Sequence, residues 1–130
     1  MQQRIANITL LVREYDEAIA FYTQKLSFTL VEDTDLGGGA RWVRVMPPGV
    51  AETSLVLAKA DTPEEQAQVG CQAGGRVLMI LFTDDFWRDY EAMRAQGVTF
   101  HEEPRAEGYG TVSVFEDLYG NKWDLLEPKD

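Results

Sequence analysis

The chain is expected to fold as an α+β protein of two βαβββ modules, and three observations predict it. The periodicity runs strand, helix, strand, strand, strand, and then repeats in the same order. A constant offset of 70 relates the two runs: Val12 to Phe82, Ser27 to Gly97, Thr29 to Thr99, Val43 to Ser113 and Leu55 to Leu125. Each half is too small to bury a sheet face alone, so the two copies are expected to join. The predicted result is a curved, mostly antiparallel sheet around a cavity, with helices on one side and a concave face on the other. Sequence identity between the halves is low, so the repeat is one of pattern.

The elements follow in order. Ile5 to Val12 (IANITLLV) is rich in β-branched and aliphatic residues and reads as a strand, with Asn7, Thr9 and Leu11 on its more polar face. Tyr15, Ala18, Ile19, Tyr22 and Leu26 then fall at helical spacing, and Glu14, Asp16 and Glu17 near the start suit the helix dipole. Phe28 to Glu32 resumes a strand. Asp33 to Ala40 (DTDLGGGA) reads as a flexible hairpin connection rather than a phosphate cradle, because no Lys-Ser/Thr follows and no helix opens after it. Arg41 to Met46 and Thr53 to Ala58 complete the first module, about residues 1–60.

Residues 61–75 are expected to form a connecting loop, in which Thr62-Pro63-Glu64-Glu65 can start a short helix. The second module spans about 75–130, and the whole of 1–130 is read as a single domain. Arg76 to Phe82 (RVLMILF) is apolar throughout and predicts a strand buried on both faces. Asp84 opens a helix through Phe86, Tyr90 and Met93 that Gly97 stops. Val98 to Glu102 is the next strand, and Pro104 to Gly110 a loop. Thr111 to Pro128 (TVSVFEDLYGNKWDLLEP) reads as strand, tight turn at Asp117, Gly120 and Asn121, and strand.

Composition sets bounds on function. The hydrophobic fraction of 45% and aromatic fraction of 11% are those of a globular protein. A net charge of −10 repels phosphate backbones and anionic membranes, so no nucleic-acid or membrane partner is expected. Cys71 is the only cysteine and His101 the only histidine, which excludes an internal disulfide and a Cys/His zinc site within one chain. A lone thiol suits the cytoplasm. Nothing near Cys71 would activate it. The opening MQQRIANITLLV is expected to carry no signal peptide, and no apolar stretch approaches a membrane span.

The chemistry centres on Asp124, a carboxylate inside an otherwise apolar strand. Strand alternation points it opposite to Trp123 and Leu125. Under the offset it pairs with Ser54, while Asn7 pairs with Val77, or with Leu78 if the strand slips by one. These positions are expected on the concave face. In an apolar cavity desolvation would raise the pKa of Asp124 and suit it to act as a general base; it could equally pair with an arginine and do no chemistry.

Three stretches carry a family resemblance: ITLLVREYDEAIAFYTQKLSF (Ile8 to Phe28), the second helix through AQGVTF (Ala95 to Phe100), and FEDLYGNKWDLLEP (Phe115 to Pro128). In order and in repeat they resemble the vicinal oxygen chelate superfamily, which holds glyoxalase I, bleomycin-resistance proteins and extradiol dioxygenases. The resemblance covers almost the whole chain and implies a homodimer. It also implies a divalent metal held by His, Gln or Glu at equivalent places in the modules. This chain departs from that pattern. The first-strand ligand position holds Asn7, its counterpart is Val77 or Leu78, the last-strand Glu position holds Asp124, and the first-module equivalent is Ser54. With the ligand set incomplete, no metal and no cofactor are predicted.

The leading expectation is therefore a bleomycin-resistance-like protein that binds a small organic ligand in the cupped sheet without metal. Asn7, Thr9, Ser54 and Asp124 would supply polarity and Arg41 or Arg44 an anion partner. Trp42, Trp87, Tyr109 or Trp123 could stack on a ring, Trp123 being weakest because parity puts it on the core side. The alternative is a metal-dependent lyase, isomerase or dioxygenase acting on a small oxygenated metabolite. A third reading is a structural or regulatory protein with a filled cavity.

Overall fold

The computed structural model describes residues 1–49 and 52–130. Its elements are β1 (Asn7–Val12), α1 (Tyr15–Ala20), β2 (Thr29–Gly37), β3 (Ala40–Met46), β4 (Ser54–Lys59), α2 (Pro63–Gln68), β5 (Val77–Phe82), α3 (Phe86–Ala95), β6 (Arg105–Glu107), β7 (Gly110–Glu116) and β8 (Lys122–Pro128). The class is α+β and the βαβββ order appears twice, as the periodicity predicts. The chain divides into two compact units, Met1–Val69 and Gly70–Asp130. Each holds its own four-stranded sheet, in the orders β1-β4-β3-β2 and β5-β8-β7-β6. Both sheets are mixed: the first strand pairs in parallel with the last, and the remaining pairs are antiparallel. Among the described residues, no helix is long and apolar enough to cross a membrane.

In the first unit, the helix packs on the face that carries Leu10 and Val12 of β1, Val43 and Val45 of β3, and Leu55 and Leu57 of β4, all buried. Tyr15, Ala18, Phe21 and Tyr22 supply the apolar stripe that the helical spacing predicts. In the second unit Phe86 and Tyr90 stack at 5.5 Å, Tyr90 meets Phe100 at 4.6 Å, and Phe115 stacks on Trp123 at 5.8 Å. This aromatic ladder puts Phe115 and Trp123 on the helix side. Alternation then sends Asp124 to the other face, as expected.

The two copies are not related by one constant offset. Tyr15 and Phe86, which each open their helix just after the N-cap, lie 71 apart, whereas Ser27 and Gly97, which end it, lie 70 apart. The first copy therefore holds one extra residue within its helix. The structure places it where Phe21–Lys25 widens into a π-helical turn, the usual way a helix absorbs an insertion. Ser27 and Gly97 share the left-handed backbone that stops a helix, at φ 61° and 89°. A second shift comes later. Val56 pairs with Arg44 and Asp124 with Val114, so Val56 and Asp124 correspond at a separation of 68. The position in the first module that corresponds to Asp124 is thus Val56, not Ser54.

Three further expectations are corrected. The stretch read as a loop over Asp33 to Ala40 is mostly ladder: β2 runs to Gly37 and β3 starts at Ala40, leaving a two-residue glycine turn. Charged and polar residues on a hairpin arm exposed along its length masked the strand. In the second unit β6 lies at Arg105–Glu107, inside the expected loop, and Val98 to Glu102 contributes only a bridge from Phe100 to Phe115. Pro104, which has no N–H to give, separates the two pairings. Finally, β5 is not buried on both faces. Ile80 is 58% and Phe82 68% exposed, because both lie on the face opposite the helix, the face of Asp124.

Candidate functional site

In the first unit the face away from the helix carries a connected set of polar side chains. Alternation along β3 divides Arg41, Val43 and Val45 from Trp42, Arg44 and Met46. Glu32 on β2 stands opposite Arg44 and accepts with one oxygen, Oε1, from the Trp42 indole N–H (3.0 Å) and from Arg44 Nε (2.9 Å). Arg44 Nη1 also donates to Ser54 Oγ at 3.1 Å, and the Ser54 hydroxyl donates to Asn7 Oδ1. Asn7 and Ser54 are register partners on adjacent parallel strands, which is what brings them together. Ser54 is fully buried beneath this chain. The Arg44 hydrogen bond, reinforced by Trp42, holds Glu32 below the usual carboxylate range against the desolvation that would raise it. Thr9 lies two residues on from Asn7, on the same face.

Arg41 stands apart from this group. Its guanidinium binds Asp33 with two nitrogens, at 3.1 and 2.7 Å, and reaches Asp16 at 2.9 Å. Its backbone N–H donates to the Tyr15 hydroxyl and its side chain lies over the Tyr15 ring. It is therefore on the helix side, with its charge met by two aspartates.

In the second unit the face opposite the helix carries Asp124, half-buried between Val114 on β7 and Ile80 on β5. Burial pushes its pKa up; the nearby Arg105 charge pulls it down and Glu102 adds to the rise. Arg105 is itself held by Glu102 (3.1 Å), Glu107 (3.1 Å) and the hydroxyl of Tyr109 (3.3 Å), which places Tyr109 beside Arg105. Trp87 lies on α3, edge-on to Phe86 and Tyr90 and 55% exposed. It belongs to the helix layer, across the sheet from Asp124. His101 pairs with Glu116 at 2.8 Å.

The raised pKa fixes the sign of a pH effect. A carboxyl whose folded pKa lies above its unfolded value binds its proton more tightly when folded. Its contribution to stability is full below the unfolded value and is lost as pH rises through the folded one. Asp124→Asn, which removes the buried charge, is expected to raise the thermal midpoint at pH 7 relative to the parent. The difference should disappear on acidification below about pH 4, the ordinary aspartate range. Melting curves of both proteins between pH 3 and 8 check this; a parent that melts higher at pH 7 would refute it.

Two residues that matter to this geometry escaped the sequence reading, Glu32 and Arg105. Opposite charges directly across a strand pair are a usable signal, but it exists only once β2 is recognised as running past Glu32. Arg105 was hidden by the expected loop.

The donors on these faces suit a divalent cation poorly. In the first unit Asn7 Oδ1 and Ser54 Oγ are already hydrogen-bonded, and a guanidinium sits 3.1 Å from the serine oxygen. In the second unit Asp124 is flanked by Val114 and Ile80. Among the described residues, no three His, Cys, Asp or Glu side chains gather where they could share an ion.

Comparison with known proteins gives a consistent result. A family model described as the glyoxalase/bleomycin resistance protein/dioxygenase superfamily matches residues 4–125. A protein of Shewanella frigidimarina (strain NCIMB 400) is 54% identical over 131 residues, covering 100% of this chain and 97% of that protein. The crystal structure of UcmS2 superposes with a TM-score of 0.84 at 33% identity, covering 98% of this chain and 99% of its own. That of TnmS3, an antibiotic binding protein from Streptomyces sp. CB03234, gives 0.81 at 28% identity and 98% of both chains.

Proposed function

The chain belongs to the glyoxalase/bleomycin resistance protein/dioxygenase superfamily, and from that premise we propose that it binds a small organic ligand on the open faces of its sheets, without a metal ion. The observation that carries this reading is the fixed polar chain Trp42–Glu32–Arg44–Ser54–Asn7. It is built of hydrogen-bonding groups held in place, with no nucleophile and base paired among them, and such preorganised groups serve recognition. The likeness to an antibiotic binding protein supports it. Asp124, half-buried between Val114 and Ile80 with the Arg105 and Glu102 charges nearby, adds one ionisable contact. On this reading the protein works in the cytoplasm, where the exposed thiol of Cys71 stays reduced.

The test is a thermal-shift panel in EDTA, with bleomycin and with anionic and cationic aromatic compounds. A ligand that binds only the folded state raises the midpoint, by about 2.7 kcal/mol of stabilisation at a hundredfold excess over Kd. Saturable shifts in EDTA are expected. A panel with no shift, or shifts that require an added divalent ion, would contradict the reading.

The working form on this reading is a homodimer. The edge strand β5 exposes Ile80 and Phe82 and carries no charge or proline to blunt it. A second copy of the chain would remove that surface from water. Phe82→Glu is expected to turn a dimer into a monomer in sedimentation velocity at micromolar concentration; an unsubstituted protein that already sediments as a monomer would refute the dimer.

A further inference from the structure

The hydrogen-bond chain of the first unit has a direction, and its direction selects a ligand. Ser54 Oγ accepts from Arg44 Nη1 and gives its own proton to Asn7 Oδ1. Ser54 is fully buried, so its hydroxyl cannot turn to water instead. The Asn7 amide is thereby fixed with its oxygen inward, and Nδ2 is left to face out with two N–H donors. Arg44 spends Nε on Glu32 and Nη1 on Ser54, and Nη2 makes no hydrogen bond to the described residues.

Asn7 and Arg44 line a cavity of about 560 Å³ together with Arg4, Ala6, Met46 and Glu52. Arg4 adds a second guanidinium, tethered through Nη1 to the backbone carbonyl of Glu52 at 2.9 Å. Asn7 Oδ1 is turned to the buried Ser54 hydroxyl, and Ser54 Oγ already accepts from Arg44, so this wall presents chiefly donors and positive charge. Among the described residues of the lining, the Glu52 carboxylate opposes an anion.

We infer that this cavity receives a carboxylate of the ligand, held between Asn7 Nδ2 and Arg44 Nη2, with Asn7 as the residue that sets specificity. The inference rests on the ligand-binding reading above and names the chemical class that one wall of the site takes. A guanidinium and an amide that present only N–H groups match an acceptor-only anion and reject a protonated amine. The net charge of −10 opposes an anion at long range. Salt at physiological strength screens such fields beyond about 8 Å, so the local donors decide at contact.

The test uses two probes of one shape and opposite charge, 2-naphthoate and 2-naphthylmethylammonium, titrated into the full-length 15N-labelled chain. Naphthoate is expected to shift the Asn7 side-chain amide and the backbone amides of Arg44 and Ser54 saturably, and the ammonium probe to leave them unmoved. Asn7→Asp keeps an acceptor for the Ser54 hydroxyl and replaces the outward N–H groups by a carboxylate oxygen; it should weaken naphthoate by at least about tenfold. Arg44→Met is a second variant, with the same loss expected. Equal shifts from both probes, unchanged naphthoate affinity in Asn7→Asp, or no shift at these residues would each overturn the inference. The amides around Asp124 and Val114 in the same spectra separate the two failures. Saturable shifts there alone sink the carboxylate wall and keep the ligand-binding reading, whereas a spectrum unmoved throughout sinks both.

Discussion

Gly110→Ala is expected to destabilise the protein by about 3 kcal/mol or more, among the largest effects of any single methyl group in this chain. Gly110 opens β7 and is buried. A Cβ built on it would lie 2.2 Å from the carbonyl oxygen of Glu127 and 3.2 Å from Cα of Pro128, both backbone atoms of the paired strand β8. A flexible side chain could swing aside, but a ladder strand cannot, so the added methyl must push β7 from β8 where Gly110 and Pro128 face each other. Overpacking of that kind costs about 1–3 kcal/mol, and the backbone at φ +153° adds strain for any residue with a Cβ. The neighbouring Gly108, with nothing within 4 Å of its Cβ position, is the internal control. Urea unfolding should show a large drop for Gly110→Ala and little change for Gly108→Ala; equal stabilities of the two variants would refute the close approach.

Asp117→Ala is expected to cost about 3 kcal/mol and to lower the thermal midpoint by roughly 10 °C. Asp117 is 3% exposed, in the turn between β7 and β8. Its Oδ1 accepts from the backbone N–H groups of Tyr119 and Asn121, each at 3.0 Å, and its Oδ2 from Asn121 Nδ2 at 2.9 Å. Truncation leaves buried donors unmet, and each unmet donor costs about 1–3 kcal/mol. Asp117→Asn keeps the two backbone bonds but sets an amide N–H₂ against that of Asn121. Adding Asn121→Asp reverses the second group and should recover most of the loss. A double variant no more stable than Asp117→Asn would contradict the arrangement. Because this turn sets the approach of β8, it also sets where Asp124 stands.

How much of this was legible in the sequence depended on whether a local rule or a pairing decided each feature. The helix at Phe86, Tyr90 and Met93 and its stop at Gly97 follow from spacing and from left-handed backbone, and both appear in the structure. The face of Asp124 follows from alternation alone. The run Arg76 to Phe82 misleads because an apolar strand reads as buried, yet its Ile80 and Phe82 lie on the face the helix leaves uncovered; composition does not distinguish a core from an exposed apolar face. The correspondence of Asp124 with Ser54 failed because a constant offset cannot register a one-residue helical insertion or a longer connection between β3 and β4. Ser54, expected as a polar residue of the concave face, lies on the face away from the helix and is the buried centre of the hydrogen-bond chain from Arg44 to Asn7. Arg41 and Arg44 looked alike in sequence. Their three-residue spacing puts them on opposite faces, one bound by Asp16 and Asp33 and the other turned toward the cavity.

The most direct test of the central claim, ligand recognition without a metal, is elemental analysis of the purified, untagged protein after equilibration with zinc, nickel, manganese and iron(II) in turn. The account predicts metal at background for each ion and an unchanged thermal midpoint, because Asn7 Oδ1 and the Ser54 hydroxyl are bonded to one another and the strand partners of Asp124, Val114 and Ile80, bring no ligand. One equivalent of metal per chain, lost on Asp124→Ala, would contradict it and would move the search to metal-dependent substrates.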